Sequence, residues 1–257
     1  MLEALHDFPP IFLDEMDSIK LMNRVDTKYV TNEKTLSHVL EDAVVAGYRA
    51  LEADGVKLSP YNSIYYDTPE LKMFLDHHNR RLNRQKVRTR VYVNSGEAYL
   101  EIKRKNNKGR TKKKRTHIPI DEIMNFSKDT EATDYLAIHS EFISGQIAPI
   151  LSTAFDRITL VNAAETERLT IDTHLVFKNF RTKKEASLED TVIIELKQDG
   201  RAQSQMKGIL LDNRVKPLRV SKYCIAVTLT EPTVKSGRFK EKVRAIEKIT
   251  NKRIQVI

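Results

Sequence analysis

Charged residues occupy alternate positions in several segments of this chain that otherwise read as β-strands. In VRTRVYV (87–93), Arg88, Arg90 and Tyr92 share one face. In YLEIKRK (99–105), Glu101, Lys103 and Lys105 share one. TVIIELK (191–197) sets Ile193, Glu195 and Lys197 against Val192, Ile194 and Leu196. RLTIDTH (168–174) sets Arg168, Asp172 and His174 opposite Leu169 and Ile171. Side chains alternate across a strand with period two. One such strand is an ordinary half-exposed strand. Several together, most carrying Arg or Lys on the polar face, predict strands that jointly line a wet cationic cavity suited to a polyanion.

The remaining pattern fills in around them. Arg24–Val30 reads as a strand with Arg24, Asp26 and Lys28 on one face. Asn32–Ala46 has helical spacing, is capped by Thr31 or Asn32, and ends at Gly47. Asn62–Tyr66 reads as a short strand, Glu70–Asn79 as a helix started by Asp67 and Pro69, and Gly96 as a hairpin turn. Asn106–Arg115 reads as a turn or flexible loop and Thr116–Ile120 as a returning strand. Residues 121–145 read as mostly helical, and Thr153–Ala163 with Leu169–Phe177 as a hairpin. Ser204–Asp212 reads as a helix, Val220–Leu229 as a strand or a strand running into a helix, and Phe239–Ile249 as a basic surface helix. Roughly eight strands joined mainly by hairpins predict an α+β fold: an antiparallel eight-stranded β-barrel with surrounding helices. A barrel of that size holds side chains or one slender ligand. Inward Arg, Lys and Glu exclude a dry core, because unpaired buried charge is costly.

At 257 residues, 40% hydrophobic, the chain has enough apolar material for a folded domain. It shows no internal repeat and no Gly/Pro/Ser linker, so one domain over 1–230 is expected, with 231–257 a basic helical extension packed on it. No apolar run approaches the roughly 18 residues a membrane helix needs, and the acidic N-terminal segment lacks the features of a signal peptide. Cys224 is the only cysteine. It excludes an intrachain disulfide, argues against a Cys/His zinc site, and fits a cytoplasmic location.

The net charge of +9 is distributed unevenly. Residues 80–115 hold 15 Lys and Arg against Glu97 and Glu101 alone, a local +13, and the rest of the chain is −4. A local excess of this kind marks a surface for negative charge. Within it, Lys112–Arg115 reads as a solvated run or a mobile rim. The face carrying Arg88 and Arg90 is harder to read that way, since six of the eleven residues from Arg80 to Arg90 are basic and none is acidic.

Arginine offers a planar fork matched to phosphate oxygens and lysine a mobile point charge. Several of each beside one or two carboxylates suit a phosphate chain with a hard divalent cation, which takes few protein ligands and completes its shell with water and phosphate. Phosphoryl transfer asks for positioning and charge stabilisation, so such a site needs no His or Ser nucleophile. No GxxxxGK[ST] or GxGxxG occurs. Cys224 reads as core, and His77 and His78 as solvent-facing helix residues.

A series of motifs then carries a resemblance: RVDTKY from Arg24, YYDT from Tyr65, NRRLNR from Asn79, KVRTRVY from Lys86, LEIK from Leu100, TAFDR from Thr153, RLTID from Arg168, IELK from Ile194 and SKY from Ser221. In this order and spacing, from about Arg24 to Val227, the chain resembles the VTC (vacuolar transporter chaperone) domain of the triphosphate tunnel metalloenzyme or CYTH-like group, in its bacterial stand-alone form. The resemblance implies a polyphosphate polymerase that binds ATP and inorganic polyphosphate in an antiparallel tunnel, uses Mn2+ or Mg2+, and transfers the γ-phosphate to a growing chain. By motif, it implies that Lys28, Arg88, Arg90, Lys103, Arg157, Arg168 and Lys197 handle the reacting phosphates, and that Arg24, Arg81, Lys222 and Tyr223 bind substrate. It implies Glu195 as metal ligand. Glu101 is either a second acidic contact or a residue that orders Lys103, and Asp172 orients a neighbouring arginine. The arginine pair lacks the RWRWYG aromatic spacing of eukaryotic members, and Arg80 stands where a small residue is expected.

Hydrolysis of tri- or polyphosphate by the same site is the alternative activity. A nucleic-acid binder is the competing class. It is disfavoured because 80–90 and 103–115 contain no aromatic residues and because Glu101 and Glu195 sit among the cations. With no membrane segment, any export of product falls to a separate membrane partner.

Overall fold

The structure is a computed structural model that describes residues 2–19, 24–200 and 203–257. In chain order its elements are α1 (Leu2–His6), β1 (Pro10–Ile11), α2 (Leu13–Ser18), β2 (Arg24–Asn32), α3 (Glu33–Val45), β3 (Arg49–Leu51) and β4 (Ser59–Asp67). Next come α4 (Lys72–His78), β5 (Arg84–Tyr92), β6 (Glu97–Lys105), β7 (Thr111–Ile118), α5 (Thr130–His139), β8 (Ala148–Val161) and β9 (Glu167–Asn179). The last are β10 (Glu185–Leu188), β11 (Thr191–Asp199), α6 (Gln205–Asp212), α7 (Lys222–Thr230), α8 (Gly237–Thr250) and β12 (Gln255–Val256).

Eight strands run antiparallel in the order β2-β11-β9-β8-β4-β5-β6-β7. The long strand β9 makes this order and a side branch together: its first half pairs with β11 and its second with β10, which in turn carries β12. Among the described residues β2 and β7 do not pair with each other, so the sheet curls into a bore whose seam carries no backbone ladder.

The outward faces are the apolar ones. Val192, Ile194 and Leu196 of β11 pack with Leu36, Val39 and Leu40 of α3 and with Met206 and Leu210 of α6. Asn32 caps α3 through Thr35 N–H, as expected from the sequence, and Ser204 caps α6 through Lys207 N–H. On the other side Val87, Leu100, Ile102 and Ile118 pack with Phe126 and Leu136.

The third core lies at one end of the bore. Along β2 and β11 the inward positions change from Lys28 and Glu195 to Val30 and Ile193, and there α7 inserts, with Tyr223, Cys224, Ile225, Ala226 and Val227 all buried. Helices α4 and α8 pack behind it. Lys222–Thr230 is therefore a helix, and the expected strand, alone or running into a helix, is absent from 220–229. A helix apolar all round shows no 3.6-residue periodicity to distinguish it from a buried strand. Two further expectations are corrected. Residues 121–145 contain one ten-residue α-helix and short 3-10 turns, and β7 begins at Thr111, so Lys112–Arg115 belong to a strand.

A candidate cationic site lined by strand side chains

Register places the inward side chains in rows. Glu195 lies between Lys28 of β2 and Thr170 of β9, and Lys197 lies between Asp26 and Arg168. Across the bore, Arg88 stands between Tyr65 and Glu101, and Arg90 between Ser63 and Tyr99. Lys86, Lys103 and Lys113 form the next row.

Glu195 pairs with Lys28 at 3.0 Å. Burial would raise its pKa, yet Lys28, Lys197 and Lys103 hold it well below the usual carboxylate range. Lys103 comes from the far side of the sheet, and its ammonium is lowered by desolvation and then by Lys86, Lys28 and Arg88, with Glu195 opposing. This exchange between β6, β11 and β2 is what the curl of the sheet brings about. Lys197 is pushed down to about 8 by burial and then by Arg168 and Arg157, against the pull of Glu195.

Arg88 is fixed on both sides. Its Nε donates to Glu101 Oε2 at 2.7 Å and its Nη1 to the Tyr65 hydroxyl at 3.0 Å. The other oxygen of Glu101 pairs with Lys113. Glu101 thus orders Arg88 and Lys113, not Lys103, whose ordering was one of the two roles left open for it. Burial would raise Glu101, but Arg88, Arg90 and Lys113 hold it far below its ordinary value. Burial would also raise the Tyr65 phenol, but Arg88, Arg90, Lys86 and Lys222 bring it down to about 8. Arg90 is buried, donates to Ser63 at 3.1 Å, and lies over the Tyr61 and Phe155 rings. Burial and the neighbouring Arg88 push it down to about 10.

Near α7, Asp172 receives both Arg157 nitrogens, at 2.6 and 2.9 Å, and Lys222 as well. Lys222 opens α7 after the Ser221 cap, and Ser221 also accepts from Lys86 at 2.7 Å. Burial pushes Lys222 down to about 8 despite Asp172. Asp172 therefore orients Arg157, as expected, and Lys222 in addition.

The sequence-predicted residues Lys28, Arg88, Arg90, Lys103, Arg157, Arg168, Lys197, Lys222, Glu101 and Glu195 all fall on inward strand positions or on α7 at its bore end. Three do not join them directly. Arg81 is exposed in the turn before β5. The neighbouring Arg80 takes φ +58, a left-handed conformation that explains why a small residue suits that position. Tyr223 is core: its hydroxyl donates to Asp67 at 2.5 Å and its ring stacks on Tyr65. The Arg24 side chain lies outside the described residues. Two residues were missed by sequence reasoning: Lys113, read as part of a solvated run, and Arg115, which lies over the Tyr99 ring at 4.6 Å. His78 is buried rather than solvent-facing, and His77 contacts the Cys224 sulfur at 3.0 Å. Burial and nearby lysines push His77 down to about 3, so it is neutral.

For a divalent cation the donor set is selective. Among the described residues no cluster of three or more His, Cys, Asp or Glu is placed to hold one. Glu101 is committed to Arg88 and Lys113 and does not fit the role. Glu195 fits it, as the one protein contact of an ion whose remaining ligands are phosphate oxygens and water. Among the described residues no helix is long and apolar enough to cross a membrane.

The sequence model of the VTC domain matches residues 23–230. No curated protein matches the sequence. Among solved structures, the chain is similar to a Hippeastrum protein provisionally assigned as an adenylyl cyclase and described as having dominant triphosphatase activity. The two share 12% identity over 80% of this chain and 95% of that one, with a TM-score of 0.54. It is also similar to a Vibrio parahaemolyticus protein provisionally assigned as an adenylate cyclase, at 11% identity over 79% and 96% of the chains and a TM-score of 0.47.

Proposed function

The chain belongs to the VTC-domain family, and from that premise we propose that it is a polyphosphate polymerase, moving the γ-phosphate of ATP onto an inorganic phosphate chain inside the bore. The observation that supports this most is the convergence of Lys28, Lys197 and, from the far side of the curled sheet, Lys103 around Glu195.

The geometry supports the following roles. Arg88, held by Glu101 and Tyr65, is a pre-oriented fork for non-bridging oxygens. Arg90 has Ser63 as its hydrogen-bond partner and is available to an anion. Arg157 and Lys222, which share Asp172 and keep a net positive charge, shape the end near α7. Lys28, Arg168 and Lys197 line the opposite wall and Lys103 faces them from β6, and a chain end would align there with the γ-phosphate. Holding donor and acceptor in line amid fixed cations lowers the barrier without a protein nucleophile. A Mn2+ or Mg2+ ion held by Glu195 and phosphate oxygens would supply further neutralisation of the transferring group. ATP as donor agrees with a cytoplasmic location.

Hydrolysis, with water replacing the chain end, is the second reading, and it is the activity described for the Hippeastrum relative. Incubating the protein with ATP and Mn2+ and resolving products by gel separates the two. Long phosphate chains are expected, and free phosphate alone would reject the polymerase. In Glu195→Gln, turnover with metal is expected to vanish while tripolyphosphate still binds. Unaltered turnover would remove Glu195 from the metal role.

A further inference from the structure

The mouth of the bore opposite α7 is built differently from the rest. Strand direction carries the inward faces of β5, β6 and β7 from Lys86, Lys103 and Lys113 outward to Tyr92, Tyr99 and His117. These rings form a continuous edge-to-face series with Tyr61. Tyr61–Tyr92 centroids are 5.1 Å apart, Tyr92–Tyr99 5.7 Å, and Tyr99–His117 5.6 Å. The Arg115 guanidinium lies 4.6 Å from the Tyr99 centroid and donates to the Tyr92 hydroxyl at 3.5 Å. Tyr99 donates its own hydroxyl to Glu97 at 3.0 Å. His117 and Arg115 are exposed, and Tyr92 and Tyr99 half-buried.

An apolar core does not need such a rim, because the outward face of the same strands already supplies one through Val91, Ala98, Leu100 and Ile118. The rim is also continuous with the phosphate-binding rows. Arg90 is directly opposite Tyr99, and its guanidinium lies over the Tyr61 ring. From Tyr99 to Lys103 is four residues of strand, about 13 Å at the usual rise, comparable to an extended nucleoside triphosphate. Aromatic rings interleaved with guanidinium planes are the surface on which purines and pyrimidines stack, with little discrimination between bases.

The geometry points to a nucleobase subsite on Tyr99, Arg115 and Tyr92, which holds the base of the nucleoside triphosphate at the open mouth while its phosphates run inward past Arg90 to Arg88. This rests on the phosphate-binding reading of the bore and adds the site that tells a nucleotide from a bare phosphate chain.

The test is titration calorimetry of ATP and of inorganic tripolyphosphate with wild type, Tyr99→Ala and Tyr99→Leu. Tyr99→Leu keeps apolar volume on the strand in case the alanine variant folds poorly. Loss of one base–aromatic stack should weaken ATP about tenfold and change tripolyphosphate by less than about twofold, with GTP following ATP. Equal weakening of both ligands, or no change in ATP, overturns the subsite and leaves the phosphate reading standing. A wild-type protein that binds neither ligand overturns the phosphate reading, and the subsite with it.

Discussion

Asp172 offers the most direct measure of how the bore holds its charge. Its carboxylate accepts two hydrogen bonds from Arg157 and one contact from Lys222, and the three side chains are 4%, 15% and 13% exposed. Asp172→Asn keeps the shape but leaves two cations facing each other with no counter-charge. Removing one partner of a buried pair costs about 3–5 kcal/mol, and the amide's retained acceptor argues for the lower end. At about 2–4 °C per kcal/mol for a chain of this size, the melting temperature should fall by roughly 6–12 °C. The assay is calorimetry in a phosphate-free buffer at neutral pH, with and without tripolyphosphate. A polyanion in the bore supplies the missing charge, so the ligand-induced rise should be larger in the variant than in wild type. The pH dependence has a defined sign. Arg157 and Lys222 depress the folded pKa of Asp172, so its contribution is complete above the unfolded value near 3.8 and is lost as pH falls through the folded value. Wild type and variant should therefore converge in strong acid. A variant melting within about 2 °C of wild type at neutral pH would refute the reasoning, because the charge would then be compensated by solvent.

Lys222 makes a second prediction through its pKa, pushed down to about 8 from 10.5. Below about 8 both folded and unfolded chains hold this proton and the cost of burying the charge is present in full. Between about 8 and 10.5 the folded chain releases it first, so ligand-free stability gains from this group as pH rises. Polyanion affinity should move the other way, since the bound phosphate favours the charged lysine. Calorimetry near pH 9 in buffers of different ionisation enthalpy should show proton uptake on binding that Lys222→Met reduces, and identical uptake in the variant would contradict this. Lys113→Ala should weaken tripolyphosphate more than Lys112→Ala, because Lys113 faces Glu101 in the bore and its neighbour does not. Equal effects in a binding titration would return the whole basic strand to the role of a solvated rim.

What was legible in the sequence was legible because charge and period coincided. Arg88, Arg90, Glu101, Lys103, Glu195 and Lys197 alternate with apolar residues, so a period-two reading places them on one face, and the outer apolar face confirms the alternation. Lys112–Arg115 defeated that reading for a physical reason. On an edge strand the outward residues meet water, so both faces carry cations and no apolar residue marks the pleat. The segment of α7, read as a strand or a strand running into a helix, was ambiguous for the converse reason, since Tyr223–Val227 are buried in succession. His78 was placed in solvent because nothing local reveals that Phe239 of α8 packs against its ring at 5.7 Å.

The distribution of carboxylates explains how a bore so rich in cations can fold before any ligand arrives. Each is shared: Glu101 between Arg88 and Lys113, Asp172 between Arg157 and Lys222, and Glu195 between Lys28 and the field of Lys103 and Lys197. One acid for two or more bases leaves the interior short of negative charge, and the lowered lysines and Arg90 are the electrostatic record of that shortage. More carboxylates would make the empty bore more stable but would compete with phosphate for the same guanidinium and ammonium groups. Fewer would leave buried cations unpaired, at about 3–5 kcal/mol for each broken pair. On the proposed function, a polyanion entering the bore would make up that shortage, which couples binding and folding stability through the same side chains.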